Sequence, residues 1–286
     1  MVSNVLFITP GPIKWASSRL RAHWVAEGIE GADVIEYDGM FYPHRDNIVF
    51  VKIVNSELAQ KYRDCGAKVI WDICDPVHWF SPTEAREMAD NVDYITCSNP
   101  GLQADFYEWY GKPRQFLIPD RMRLDRYPIQ RIHKPTNHIR FIWCGVIQNR
   151  FSLLGAMANL DRLKANGVDF SLTIFDDKPG ETWKAKFPIY HTGFEVDKEN
   201  EVMASHDIAL LPPYPGAWGR VKSNNKHLTA WACGLPVTDG ENYAQLYELA
   251  TRATVREISA QAGMDTLTKH YTIDKSVDQW KGLLEL

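Results

Sequence analysis

Apolar and polar positions fall into two kinds of block along the chain. Short runs rich in apolar and β-branched residues occupy 5–9, 33–37, 47–54, 67–73, 92–97 and 114–118, with Gly, Pro, Asn or Asp at or near their ends. Between them, residues 17–27, 56–64, 82–91 and 102–110 place apolar side chains three and four apart. The first kind reads as buried strands and the second as amphipathic helices. Strands alternating with helices predict a parallel sheet covered on both faces. The pattern lapses over residues 119–137, which hold Pro128, Pro135 and many basic residues without clear periodicity. It restarts with expected strands at 138–144, 170–175, 189–192, 207–211 and 236–239, and helices at 151–165, 196–205, 243–250, 255–262 and 276–286.

Two βα series joined by a linker predict an α/β protein of two doubly wound, Rossmann-like domains, whose strand C-terminal edges face a shared cleft. The expected division is an N-terminal domain at 1–120, a linker at 121–137 and a second domain at 138–272. A final helix at 273–286 would pack back on the first domain. No Gly-x-Gly-x-x-Gly follows the first strand of either series, which argues against a dinucleotide-dependent dehydrogenase.

One stretch stands out chemically: Lys222-Ser223-Asn224-Asn225-Lys226-His227-Leu228-Thr229-Ala230-Trp231-Ala232-Cys233-Gly234-Leu235-Pro236-Val237. Leu228, Trp231 and Ala232 share a helical face, Ser223 stands where an N-cap belongs, and Gly234 with Pro236 reads as the stop. The helix would open between two lysines. Its first N–H groups lack intrahelical partners and its end carries partial positive charge, a seat suited to a diphosphate. A capped core helix with solvated lysines explains the same residues equally well.

Asn225-Lys226 followed by Ala230, Ala232, Gly234, Pro236 and Val237 resembles the nucleotide-sugar helix of GT-B glycosyltransferases, notably glycosyltransferase family 4. The chain is short for that family. The resemblance implies a hexosyltransferase that takes a nucleotide sugar, such as UDP-glucose, with retention of configuration. It departs in two places: Thr229 stands where the family's ribose-binding glutamate falls, and the loop 212–220 lacks the family's acid before Gly-Phe-Gly, leaving Val221 at that place. By the same resemblance Gly145 and Arg150 form the first donor-domain loop, with Arg150 neutralising phosphate. Lys222, Ser223, Asn224, Asn225, Lys226 and Thr229 complete the donor set, and Glu241 would meet sugar hydroxyls. His78 and Asp75, just past the fourth strand, fall where the family's sugar-facing histidine occurs and are the catalytic candidates; a turn-capping role is the alternative. Gly11, Arg19 and Arg21 would face the acceptor. A non-catalytic nucleotide- or anion-binding protein on the same scaffold is the competing reading.

Composition changes this picture little. The 286 residues are 45% apolar and 24% charged, with net charge -4 and a pI near 6.1. That is ample for two cores and gives no global demand for a polyanion. Locally, Lys112, Arg114, Arg121, Arg123, Arg126, Arg131, Lys134 and Arg140 cluster with only Asp120 and Asp125 against them. The cluster admits an anionic acceptor: hydroxymethylated-base DNA, a lipid phosphate or an acidic glycan. A solvated linker with paired charges fits it as well. Five scattered cysteines without a Cys-x-x-Cys pair suggest neither zinc nor a disulfide frame. No cofactor or metal is expected, because Asp176-Asp177 reads as a turn. Without a signal peptide or an apolar run near ~20 residues, a cytoplasmic protein with no transmembrane segment is expected.

Overall fold

The computed structural model describes residues 4–43, 45–178 and 184–285. The chain forms two compact units. Unit 1 comprises Met1–Arg121, Ala217–Ser223 and Tyr271–Leu286, and unit 2 comprises Met122–Gly216 and Asn224–His270.

Unit 1 holds six parallel strands: β1 (Val5–Thr9), β2 (Ala32–Glu36), β3 (Asn47–Val51), β4 (Lys68–Ile73), β5 (Tyr94–Cys97) and β6 (Gln115–Leu117). Their order is β2-β1-β3-β4-β5-β6, so the direction of travel reverses between β1 and β3. Each strand's alternate side chains divide between two cores. Leu6, Ile8, Ile48, Phe50, Val69, Trp71 and Ile73 lie on one face, and Val5, Phe7, Val49, Val51 and Ile70 on the other. Burial on both faces is why β1 and β3 are near-continuous apolar runs, while the edge strands β2 and β6 stay partly exposed and carry polar residues.

The helix Ile273–Leu284 belongs to unit 1 and closes the second core. Trp280 meets Phe7 edge-on at 5.6 Å, and Gly28 admits the helix because a Cβ there would lie 2.6 Å from Val277 Cγ2. Burying an aromatic of this size, about 200 Å² at roughly 25 cal/mol/Å², contributes on the order of 5 kcal/mol before entropy. The short helix Ala217–Val221 also belongs to unit 1, where Val221 joins the first core. The sequence gives no sign of it: the Pro/Gly-rich composition of 212–220 reads as loop throughout.

Unit 2 holds five parallel strands: β7 (Ile139–Gly145), β8 (Phe170–Asp176), β9 (Ile189–Gly193), β10 (Ile208–Leu210) and β11 (Val237–Thr238). Their order is β11-β10-β7-β8-β9, and the reversal lies between β7 and β10. The helix Asn225–Ala232 packs on the helix Ala253–His270 through Trp231, which stands where a Cβ at Gly263 would intrude at 2.2 Å.

Residues 121–137 are not a free linker. Arg121 donates to Ser276 and Gln279 within unit 1. In unit 2, Asn200 bonds both the N–H and the carbonyl of Ile129, and the Arg131 N–H donates to the Cys233 carbonyl at 2.8 Å. At least four of the eight basic residues between 112 and 140 pair with acids: Arg131 and Arg140 with Asp207, Arg123 with Asp125, and Lys112 with Asp90. The segment looked aperiodic because side-chain-to-backbone bonds, which leave no hydrophobic period, hold it.

Candidate functional site

Open α/β sheets bind ligands beyond the strand C-termini, where the strand order reverses. In unit 2 that point lies past Gly145 and Leu210. The helix Asn225–Ala232 runs eight residues, shorter than its apolar spacing suggests, and its N-cap is Asn224. The expected cap, Ser223, belongs to unit 1, where it bonds the Asp120 carboxylate. Among the described residues no side chain caps this helix end.

Lys226 lies in the first turn. Its Nζ donates to the Tyr214 hydroxyl at 2.7 Å and stands 4.7 Å from the Trp143 ring centroid and 5.2 Å from that of Tyr214. Gly145 makes this possible, since a Cβ there would sit 2.7 Å from Lys226 Nζ and 2.7 Å from the Trp143 ring. The ammonium is thus held between the Trp143 ring and the Tyr214 hydroxyl at the reversal point. Phe151 stands 6.0 Å from Tyr214. Nearby, burial pushes the Cys144 thiol up to about 11, and burial with Lys226 beside it lowers the His227 pKa.

The other donor candidates divide. Asn225 is half-buried, Thr229 is buried and Glu241 is exposed, with its N–H on Asp239. Arg150 departs from expectation. Its guanidinium is buried and grips both oxygens of Asp176, and it donates to the Lys178 carbonyl at 2.5 Å. Its charge is already compensated, so it fastens the post-β7 segment to the end of β8. Asp177 accepts from the Ile147 N–H at 2.8 Å, a loop role.

In unit 1 the reversal lies past β1 and β3. Lys52, directly after β3, adopts a left-handed backbone with φ of 61°, uncommon for a residue with a side chain. Its Nζ reaches Asp75 at 2.5 Å, and Lys222 reaches the other Asp75 oxygen at 2.5 Å. Burial alone would raise the Asp75 carboxyl, but the two lysines outweigh it and hold it below the usual carboxylate range. Beneath lies a buried charge cluster. Arg21 donates to both oxygens of Asp72 through Nε and Nη2 and reaches Asp120 through Nη1 at 3.3 Å, and Thr96 donates to Asp72. Burial raises the Asp120 carboxyl in spite of Arg21 and Ser223.

Two expected acceptor residues therefore face inward. Arg21 is locked on Asp72, and Arg19 is buried beside Trp24 with its guanidinium on the Lys14 carbonyl. Both lie in a π-helical turn, Arg19–His23, which turns them toward the sheet end. Gly11 is buried, and its carbonyl accepts from Thr9. His78 is enclosed as well. Its side chain is 1% exposed, packed between Phe106 and Trp109, with Nε2 on Asp105 at 2.7 Å. Burial outweighs Asp105 and lowers its pKa.

Sequence reasoning missed Lys52, Tyr214, Asp105 and Asp120. Lys52 did leave a signal, a lone cation inside the apolar run 47–54. Tyr214 lay hidden in a proline-rich loop. Among the described residues, no cluster of three His, Cys, Asp or Glu side chains could hold a metal, and no helix is long and apolar enough to cross a membrane.

No protein-family model matches the sequence, and no curated protein matches it in sequence. Solved structures do resemble it. A trehalose 6-phosphate synthase from Burkholderia multivorans aligns with a TM-score of 0.65 and 10% identity, over 100% of this chain and 97% of that one. The N-terminal domain of the Candida albicans trehalose-6-phosphate phosphatase gives 0.67 and 9%, over 98% and 96%. S. aureus TarM, in a complex with fondaparinux, α-GlcNAc-glycerol and UDP, gives 0.57 and 12%, over 84% of this chain and 55% of TarM. The fold is that of the GT-B glycosyltransferases. The chain thus spans just over half the length of TarM. Membership of family 4 in particular finds no such support, and neither the paired basic residues nor these neighbours support DNA as a partner.

Proposed function

We propose that the protein is a glycosyltransferase moving a hexose from a nucleotide sugar, of the UDP-glucose type, to an acceptor hydroxyl with retention of configuration. The observation that carries this reading is Lys226. It is an ammonium held between the Trp143 ring and the Tyr214 hydroxyl, beside a glycine that clears its approach, at the helix end beyond the β7/β10 reversal. In the reaction the bond from the anomeric carbon to the diphosphate breaks and a bond to the acceptor oxygen forms. The acceptor proton passes to the departing diphosphate oxygen and from there to solvent, and nucleoside diphosphate leaves with added negative charge. Lys226 and the uncapped N–H groups of Asn225–Ala232 stabilise that charge without a metal.

Asp75 stays ionised between Lys52 and Lys222, so its role is to orient a hydroxyl by accepting its hydrogen bond. His78, enclosed by aromatic rings, supports Asp105 in place of touching substrate. The enclosure of His78, the pairing of Arg150 and the hydroxyl at Thr229 favour a second reading, a nucleotide-binding protein without turnover. Release of UDP from UDP-glucose, measured with and without acceptor, separates the two. Turnover lost in Lys226→Met supports transfer, and UDP binding with no release supports the second reading.

A further inference from the structure

Unit 1 carries three aromatic rings grouped at its surface. Phe80 is 70% exposed and Trp79 is 38% exposed, although both end a helix of only four residues, Val77–Phe80. Trp218 lies 6.0 Å from Trp79 and 5.7 Å from Phe80, at interplanar angles of 55° and 69°. Two of the rings are fixed by polar groups. The Trp79 indole N–H donates to Asp105 Oδ2 at 2.8 Å. Lys222 Nζ stands 4.3 Å from the Trp218 centroid, and Asp75 holds Lys222.

We propose that Trp79, Phe80 and Trp218 form a binding face for the pyranose rings of a neutral glycan, with Asp105 at its rim. As an acceptor site the face rests on the transferase reading above; as a glycan-binding site it stands without it. A pyranose presents an apolar C–H face and a rim of hydroxyl donors. Rigid aromatic faces take the first and a carboxylate takes the second, as a charge-assisted hydrogen bond. The rings are held before any ligand arrives, which lowers the ordering cost of binding. Charge selects among occupants. Lys222, the cation over Trp218, is already paired with Asp75, and the Asp105 carboxylate at Trp79 would meet the phosphates of a stacked nucleic acid with like charge. A lipid surface would draw Asp105 and Lys222 toward a medium that cannot solvate them.

The test uses the full chain. Labelled protein is read on an array of neutral and sulfated oligosaccharides, and the strongest neutral ligand is then titrated by calorimetry, with UDP titrated into the same preparations. Binding to a neutral series is expected. Phe80→Ala and Trp79→Ala should each weaken it about tenfold, and Trp79→Phe, which keeps a ring but loses the Asp105 bond, about threefold. Phe80 is so exposed that its replacement leaves the fold intact. The proposal is overturned by unchanged affinity in both alanine variants, or by an array on which no neutral glycan binds. Preference for sulfated over neutral glycans, a Phe80-dependent dimer in sedimentation, or Phe80-dependent capture on phosphatidylcholine vesicles would overturn it too. Glycan binding that depends on Phe80 in a protein that fails to bind UDP would sustain this face and sink the donor reading; UDP binding without glycan binding would do the reverse.

Discussion

Gly101→Ala sets two known effects against each other. Gly101 lies in the first turn of the helix Pro100–Tyr110, and alanine there should favour the helix by about 0.5–1 kcal/mol. The structure opposes that gain. A Cβ at Gly101 would stand 2.0 Å from the Arg220 carbonyl oxygen and 3.0 Å from its carbon. Restoring ordinary contact near 3.4 Å needs a displacement of roughly 1.4 Å, and the obstacle is backbone. The segment cannot yield cheaply, because Asn99 caps one helix and also donates to the Val221 carbonyl at 2.8 Å. Overpacking against a fixed group costs about 1–3 kcal/mol, so the clash wins. The expected result is a lower melting temperature and faster amide exchange in residues 217–223, the segment that carries Trp218 and Lys222. Exchange there is read by mass spectrometry on intact protein. A raised melting temperature with unchanged protection of 217–223 would refute the reasoning.

Other outcomes are expected at single sites. Lys226→Met should weaken UDP binding by about 1.5–3 kcal/mol, the worth of a charge-assisted hydrogen bond, and equal affinity by calorimetry would remove Lys226 from the donor site. Gly263→Ala, whose Cβ would meet the Trp231 indole at 2.2 Å, should cost about 1–3 kcal/mol in urea unfolding, and a neutral result would show that the Asn225–Ala232 and Ala253–His270 helices can slide. Burial depresses the His78 pKa in the folded state, so its contribution is complete above the unfolded value near 6.5 and is lost as pH falls through the folded value. His78→Phe should therefore lose less stability than the native chain between pH 7.5 and 5, whereas parallel pH curves would place the imidazole in contact with solvent. UDP release should persist in EDTA; activity abolished by the chelator and restored by Mn²⁺ would count against leaving-group stabilisation by Lys226.

The strand and helix alternation was legible because the central strands of both parallel sheets are buried, so β1, β3 and β8 are mostly apolar runs that the pattern finds easily. β1, β3 and β8 lie within a residue or two of where the hydrophobic pattern puts them, apart from the end of β3. That strand stops at Val51 because Lys52 turns left-handed, while the apolar run continues through Val54. The helix bearing Lys226 was legible from its apolar face, but its cap was not. Ser223 and Asn224 are equally good N-caps by residue type, and the choice falls to Asn224 because the Ser223 hydroxyl is taken by buried Asp120, which no local pattern reveals. Arg21 and Arg150 show the same limit. A cation beyond a strand end looks like an anion site until a buried aspartate, 51 or 26 residues away, claims it. The enclosure of His78 is hidden for the opposite reason: it comes from Phe106 and Trp109, on a helix that sequence places separately.

The threading of unit 1 has a consequence for how the chain is made. Its six strands are all translated by Leu117, yet the helix that covers Phe7 and Val25 begins at Ile273. At synthesis rates of about 5–20 residues per second, the roughly 150 residues between leave that apolar face without its partner for about 8–30 s. Unit 2, complete at His270, is the first of the two to have all its residues. The half that is translated first is therefore finished last. A fragment ending at residue 121 is, in ribosomal terms, an arrested intermediate, and it should be held by chaperones or precipitate where the intact chain folds.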